Sequence, residues 1–256
     1  MNFENPFTVK KEICEIGRRM YARGFVAAND GNISVRIGPD RFIATPTLVS
    51  KGFMTPEMLV VVDGEGRVVE GKRKPSSELK LHLRVYRERP DIFAVVHAHP
   101  VTATGFAVAR VPLDKAFMPE LVVNLGTVPV AEYATPATDE VPDSIDPYVK
   151  DHYAVLLANH GVLTFGRDLM EAYFRMETVE SYAQILLVAN TIGVAKTVPC
   201  EKMGSLVEIR ERLGIFGNLP SCKIEAEAPA GDSMRTADIE AIIERVTERV
   251  VAALKN

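Results

Sequence analysis

The chain has 256 residues, 47% of them hydrophobic and 25% charged, the proportions of a globular chain long enough for one large domain. With Lys+Arg 30 against Asp+Glu 34 and a net charge of −4, it lacks the basic excess that draws proteins onto nucleic acid. Its apolar runs, such as residues 93–96 and 153–158, fall far short of the roughly 20 residues that cross a bilayer.

Residues 1–17 carry charges at Lys10, Lys11 and Glu12 and no apolar secretory stretch, which predicts a cytosolic protein with no membrane partner. Cys14, Cys200 and Cys222 are odd in number and widely spaced, which predicts reduced, incidental thiols.

Val9, Ile13, Ile16 and Met20 recur at the spacing of an amphipathic helix over residues 9–21, which Gly24 ends. Apolar stretches at 33–37, 41–44 and 59–62, broken by Gly38-Pro39-Asp40 and followed by Asp63-Gly64-Glu65-Gly66, predict hairpins of an antiparallel core. Leu79, Leu83 and Tyr86 set a helix over 76–89, with Ser76-Ser77 capping its first turn and Pro90 closing it. Residues 92–96 and 153–158 suit strands buried on both faces, each running into histidine. The longest helical pattern covers 168–193, with Tyr173, Met176, Val179, Tyr182, Leu186 and Ala189 on one stripe, and it is predicted to cover a face of the sheet. Residues 221–235 are aperiodic and rich in Ser, Pro, Ala, Gly and acidic residues, as in a linker. Beyond them Ile239, Ile242 or Ile243, Val246, Val250 and Leu254 share one face of a detached helix.

Chemistry concentrates at the ends of the buried strands. In Val96-His97-Ala98-His99-Pro100 two imidazoles stand two residues apart, so in a strand they face one point. A third is offered by Asn159-His160-Gly161. Three His ligands with an open fourth position are how a catalytic zinc is held; hydrogen-bonding histidines at a surface turn are the alternative. Pro75-Ser76-Ser77-Glu78 is either a helix cap with a solvated glutamate or an anion site with a carboxylate beside it. Asn29-Asp30-Gly31-Asn32 is a turn or a backbone nest for phosphate, and Thr45-Pro46-Thr47 with Lys51 is an ordinary loop or a source of hydroxyl and cationic donors.

Taken in order, Asp30-Gly31-Asn32-Ile33-Ser34, Thr45-Pro46-Thr47, Pro75-Ser76-Ser77-Glu78, His97-Ala98-His99 and Asn159-His160-Gly161 resemble the motifs of the class II aldolase and epimerase family, which also holds dehydratases and the adducin head domain. The resemblance runs from about residue 9 to 193. It implies an α/β fold, a three-layer α/β/α sandwich around a mostly antiparallel sheet, assembled as a homotetramer with active sites between subunits. It further implies zinc on His97, His99 and His160, substrate phosphate on Gly31, Asn32, Thr47, Ser76 and Ser77, and Glu78 as the catalytic acid/base. Epimerases of the family usually carry Asp at the Glu78 position, and adducin-type members lack the metal histidines, so the fuculose phosphate aldolase branch is the expected one. Its reaction splits a ketose 1-phosphate into dihydroxyacetone phosphate and L-lactaldehyde.

The chain departs from that branch at three places. Phe117 stands near a family tyrosine, Glu211-Arg212-Leu213-Gly214 occupies the region of a second one, and Leu48 replaces the glycine after Thr47. Tyr133, Tyr148 and Tyr153 are the candidate replacements. The expected organisation is a class II aldolase domain over 1–195, its extension over 196–220, a linker over 221–235 and a helix over 236–256. That helix resembles the encapsulation peptides that bring enzymes to a microcompartment shell protein; docking on its own tetramer is the alternative.

Overall fold

Turn residues fold the first third of the chain into a meander. In the computed structural model, β1 (Asn32–Gly38) reverses at Pro39-Asp40 into β2 (Arg41–Ala44), and β3 (Val60–Val62) reverses into β4 (Val68–Glu70). The second reversal is built by Asp63, whose carboxylate accepts the N–H groups of Glu65 at 3.0 Å and Arg67 at 2.9 Å, the way a short acidic side chain mimics a backbone turn. With β5 (Ala94–Ala98), β6 (Val130–Ala131), β7 (Ala154–Leu157) and β8 (Gly161–Gly166) they form one eight-stranded sheet in the order β4-β3-β2-β1-β5-β8-β7-β6. Every pair is antiparallel except β6 with β7.

The structure describes residues 5–135, 138 and 140–223. The chain divides into a compact unit, Met1–Cys222, and a second, Lys223–Asn256. The linker expected over 221–235 therefore lies mostly, and the helix over 236–256 wholly, outside the described residues.

Register decides which side chains share a face. Asn32 pairs with His97 and Ser34 with Val95, so Asn32, Ser34 and His97 point the same way. Ser34 Oγ lies 2.7 Å from His82 Nδ1 and 2.9 Å from Tyr86 Oη, both on α2 (Leu79–Glu88). This is the face that α2 covers, with α4 (Glu140–Val149) packed beside it. On the opposite face Thr164 of β8 donates its hydroxyl to the Ala172 carbonyl at 2.8 Å, inside α5 (Leu169–Ile192). Both α1 (Pro6–Ala22) and α3 (Val101–Ala109) pack against α5. The buried carboxylate of Glu180 on α5 accepts the Thr102 and Ala103 N–H groups at 3.1 and 2.8 Å, which ties the start of α3, just after His99, to α5.

Two expectations need correction. The helix expected from Ser76 begins at Leu79, with Glu78 at its N-cap position, because Pro75 bridges to Pro46 and the Ser76 N–H donates to the Thr45 carbonyl at 3.1 Å, which holds residues 75–76 extended. Nor are the cysteines all free: Cys200 and Cys222, with Cα atoms 5.3 Å apart, form a disulfide, and only Cys14 is a free, buried thiol. Their distance in sequence misled, since Val198 N–H donates to the Ala116 carbonyl and Ala116 N–H to the Ser221 carbonyl, at 2.7 and 2.8 Å. Both cysteine segments thus hang on the same strip of chain. The extension carrying them includes α6 (Met203–Arg212), whose Arg210 is buried and donates to the Val122 carbonyl at 2.9 Å.

His82 is a buried titratable group between α2 and the sheet, 1% exposed; burial drops its pKa to about 4. The unfolded chain, with His near 6.5, binds the proton more tightly, so stability is full above pH 6.5 and falls as pH drops toward 4, by up to about 3 kcal/mol. Urea midpoints at pH 7 and pH 5 should differ in the native chain, and by clearly less in His82→Gln.

Candidate metal centre

His97 lies within β5 and is fully buried. The strand ends at Ala98, yet the alternation continues for one residue because the His99 N–H donates to the Phe25 carbonyl at 2.9 Å. His160 comes from the tight turn between β7 and β8, where Asn159 adopts φ 56°, a left-handed conformation that Asn tolerates better than most residues. The ligand nitrogens of the three histidines lie within 4.8 Å of one another.

The donor set fits a metal. The Val162 carbonyl, an acceptor only, is 3.0 Å from His97 Nδ1, so Nδ1 carries the ring proton and Nε2 offers its lone pair. His97 Nε2 and His99 Nε2 are 3.1 Å apart, close to the about 3.3 Å that two nitrogens keep on a tetrahedral zinc. His99 Nδ1 in turn lies 3.5 Å from Asp30 Oδ2, an outer carboxylate of the kind that orients ligating imidazoles. Burial pushes His97 down to about 3 and holds His99 below its ordinary value. Both rings are therefore neutral, the form that binds metal.

Gly161 leaves the room. A Cβ there would sit 2.5 Å from the Ala98 carbonyl oxygen, 2.5 Å from a His99 ring carbon and 3.3 Å from one of His97. Only glycine lets the turn carry His160 this close to the other two, a constraint that a sequence motif shows as a glycine but not as a distance.

Glu78 reaches into the same cluster. Its carboxylate is 2.9 Å from His160 Nε2 and 3.5 Å from His97 Nε2, and accepts the Asn32 side-chain amide at 2.7 Å. Burial raises its pKa, but His97 and the hydrogen bonds from His160 and Asn32 outweigh that, so the carboxyl is held well below the usual range and is ionised at neutral pH.

The expected phosphate residues lie on three linked loops, two of which meet at the Asn32–Glu78 hydrogen bond. Gly31 has φ 73°, and a Cβ there would lie 2.6 Å from Val26 Cγ1. Asn32 follows it, but its side-chain amide is engaged with Glu78. Thr47 N–H donates to the Lys74 carbonyl at 3.0 Å, joining the second loop to the third. Ser76 Oγ accepts the Glu78 N–H at 3.3 Å, and Ser77 is exposed. Thr45 is spent on the fold, its hydroxyl accepting the Ile33 N–H at 3.1 Å. Lys51 is buried rather than displayed, with its ammonium on backbone carbonyls. Leu48 takes φ 58°, the conformation that the family's glycine would adopt freely.

Of the tyrosines, Tyr148 donates to the Val130 carbonyl at 3.3 Å. Tyr153 is buried beneath Arg175, whose guanidinium stands 3.8 Å from its ring. Tyr133 alone of the three is exposed. Phe117 packs half-buried against the core.

The class II aldolase and adducin N-terminal domain family matches residues 11–187, and the chain belongs to this family. An L-fuculose phosphate aldolase of Methanococcus maripaludis is 34% identical over 181 residues, 71% of this chain and 97% of the relative. A 5-deoxy-D-ribulose 1-phosphate aldolase of Bacillus thuringiensis is 33% identical over 207 residues, covering 80% and 96%. A 3-oxo-tetronate 4-phosphate decarboxylase of Haemophilus influenzae is 34% identical over 181 residues, covering 69% and 85%. A solved L-fuculose 1-phosphate aldolase superposes with a TM-score of 0.75 at 34% identity, over 84% of this chain and 99% of that one.

Gly161→Ala should abolish stoichiometric binding of divalent metal while the protein still folds. Elemental analysis of the purified variant, beside a circular dichroism melt, checks this; full metal content would show that the turn has room to spare.

Proposed function

We propose that the protein is a zinc-dependent aldolase that cleaves a ketose 1-phosphate, L-fuculose 1-phosphate or a related 6-deoxy sugar phosphate, to dihydroxyacetone phosphate and L-lactaldehyde. The observation that carries this reading is the meeting of three imidazoles with an ionised carboxylate, Glu78, 2.9 Å from His160. His97, His99 and His160 would hold the ion, which when bound supplies the Lewis acidity that polarises the substrate carbonyl.

In cleavage the C3–C4 bond breaks, the C4 hydroxyl proton leaves as the aldehyde forms, and the electron pair passes to the three-carbon phosphate fragment, which gains one proton at C3. Glu78 handles that proton: its ionised carboxylate removes it in the condensation direction, and in cleavage the carboxyl, loaded with the proton that the C4 hydroxyl gives up, returns it to C3. Asn32, donating to Glu78 at 2.7 Å, fixes the carboxylate's orientation. Gly31, Asn32, Thr47, Ser76 and Ser77 would bind the phosphate, with the Gly31-Asn32 contribution made through backbone N–H groups.

Loss of CO2 from a phosphorylated 3-oxo acid leaves an electron pair beside a carbonyl as aldol cleavage does, and the 34% identity to a 3-oxo-tetronate 4-phosphate decarboxylase makes this the second reading. Metal-loaded protein should release aldehyde and dihydroxyacetone phosphate from L-fuculose 1-phosphate, and Glu78→Gln should lower kcat by about a hundredfold or more with its metal retained. A silent native enzyme that releases CO2 from 3-oxo-tetronate 4-phosphate would move the assignment to the decarboxylase.

The same reading takes the enzyme as a cytosolic homotetramer with residues 236–256 as an address for a bacterial microcompartment shell protein, since containment suits an enzyme whose product is a reactive aldehyde. Deleting 236–256 should leave cleavage intact and end co-purification with shells. Loss of activity instead would make that segment part of the enzyme.

A further inference from the structure

Behind the loops that bear Gly31 and Thr47, Lys51 opens a single 3-10 turn and is 1% exposed. Its backbone is locked from behind, because Gly17 of α1 packs so closely that a Cβ there would lie 2.6 Å from the Lys51 carbonyl oxygen. Its ammonium donates to the carbonyls of Asn29 at 2.7 Å and Val49 at 2.6 Å, one on each loop. Each of those carbonyls follows a non-glycine residue held left-handed, Ala28 at φ 43° and Leu48 at φ 58°, a conformation that persists only where the surroundings enforce it.

Neutral donors would suffice to tie two carbonyls, yet this position carries a charge, and a buried charge is costly unless it is compensated. Both hydrogen-bond acceptors are neutral. Burial lowers the ammonium's pKa to about 8, against the favourable fields of Asp30 and Glu78, so it remains mostly charged at neutral pH.

We propose that Lys51 is a positioning residue of the phosphate site: its ammonium fixes residues 28–31 and 47–49 in their strained form and supplies the positive charge that a phosphate dianion neutralises. This inference rests on the phosphate site read above. Lys51 touches no reacting atom; it acts through the backbone of the two loops.

Titration calorimetry with inorganic phosphate on the full-length, metal-loaded protein tests it, with Lys51→Met, Lys51→Arg and Ser77→Ala alongside. Lys51→Met should bind phosphate about tenfold or more weakly and raise KM for the sugar phosphate in parallel, with a much smaller change in kcat and undiminished metal. Lys51→Arg, which keeps charge and donors, should recover most of the affinity, a rescue that a purely steric role would not give. If Lys51→Met does not fold, Lys51→Gln against Lys51→Arg makes the same comparison. A folded uncharged variant that binds phosphate as the native protein does, while Ser77→Ala binds it weakly, would overturn the role of Lys51 and leave the phosphate site standing. A native protein that binds no phosphate would overturn both.

Discussion

The pairing of Asn32 opposite His97 is the constraint on which the rest of the site depends. Because strand side chains alternate with a period of two, a slip of one residue between β1 and β5 would turn His97 toward α5 and away from Glu78. The register is held from both sides. Ser34, two residues along β1, is pinned by His82 and Tyr86 of α2, and Leu163 of β8 pairs with His97 from the other flank. The same α2 that reads the register has Glu78 at its N-cap position, so the carboxylate and the histidines are placed by one set of contacts.

The electrostatics follow from that placement. Burial keeps His97 and His99 neutral, while Glu78, in the same pocket, is kept ionised by its hydrogen-bond partners. One environment thus holds neutral imidazoles, the form that binds metal, beside an ionised carboxylate. Asn32 links the two kinds of group, since it sits opposite His97 in the sheet and donates to the Glu78 carboxylate across the layer gap.

Most of this was legible in the sequence because it is local. Alternation placed His97 and His99 on one side, and the stripe of Val9, Ile13, Ile16 and Met20 is buried along α1 as its spacing required. What sequence could not show is distance between segments far apart in the chain. Cys200 and Cys222 look unrelated until Val198 and Ser221 are seen to pair with the same strip at Ala116. Lys51 reads as a displayed cation until its loop turns it inward, and Gly161 reads as a turn glycine until the ring of His99 is found where its side chain would be. The helix α3 escaped because its residues, from Val101 to Ala109, are small or apolar all round and bury only Ala103 and Ala107, leaving no stripe to read.

Several local rules are broken beside the histidine and carboxylate cluster, while others are broken elsewhere among the described residues, as at the left-handed Arg110 and the unpartnered Thr104 and Thr127 hydroxyls. The N-terminus of α2 has no side-chain cap, because the residue at that position, Glu78, turns its carboxylate to His160 and Asn32 rather than back to its own helix. Among the described residues Asn32 Oδ1 and His82 Nε2 are buried without hydrogen-bond partners, and Ala28, Leu48 and Asn159 hold left-handed conformations in the three loops that converge here. Each departure costs about 1 to 3 kcal/mol, and none would survive without the sheet and the paired helix layers around it. A scaffold selected for stability alone would cap α2 and relax these loops. Ala28 and Leu48 lie in the loops that carry Gly31 and Thr47, and Asn159 immediately precedes His160, so this part of the strain is borne by the segments that meet at the histidine and carboxylate cluster.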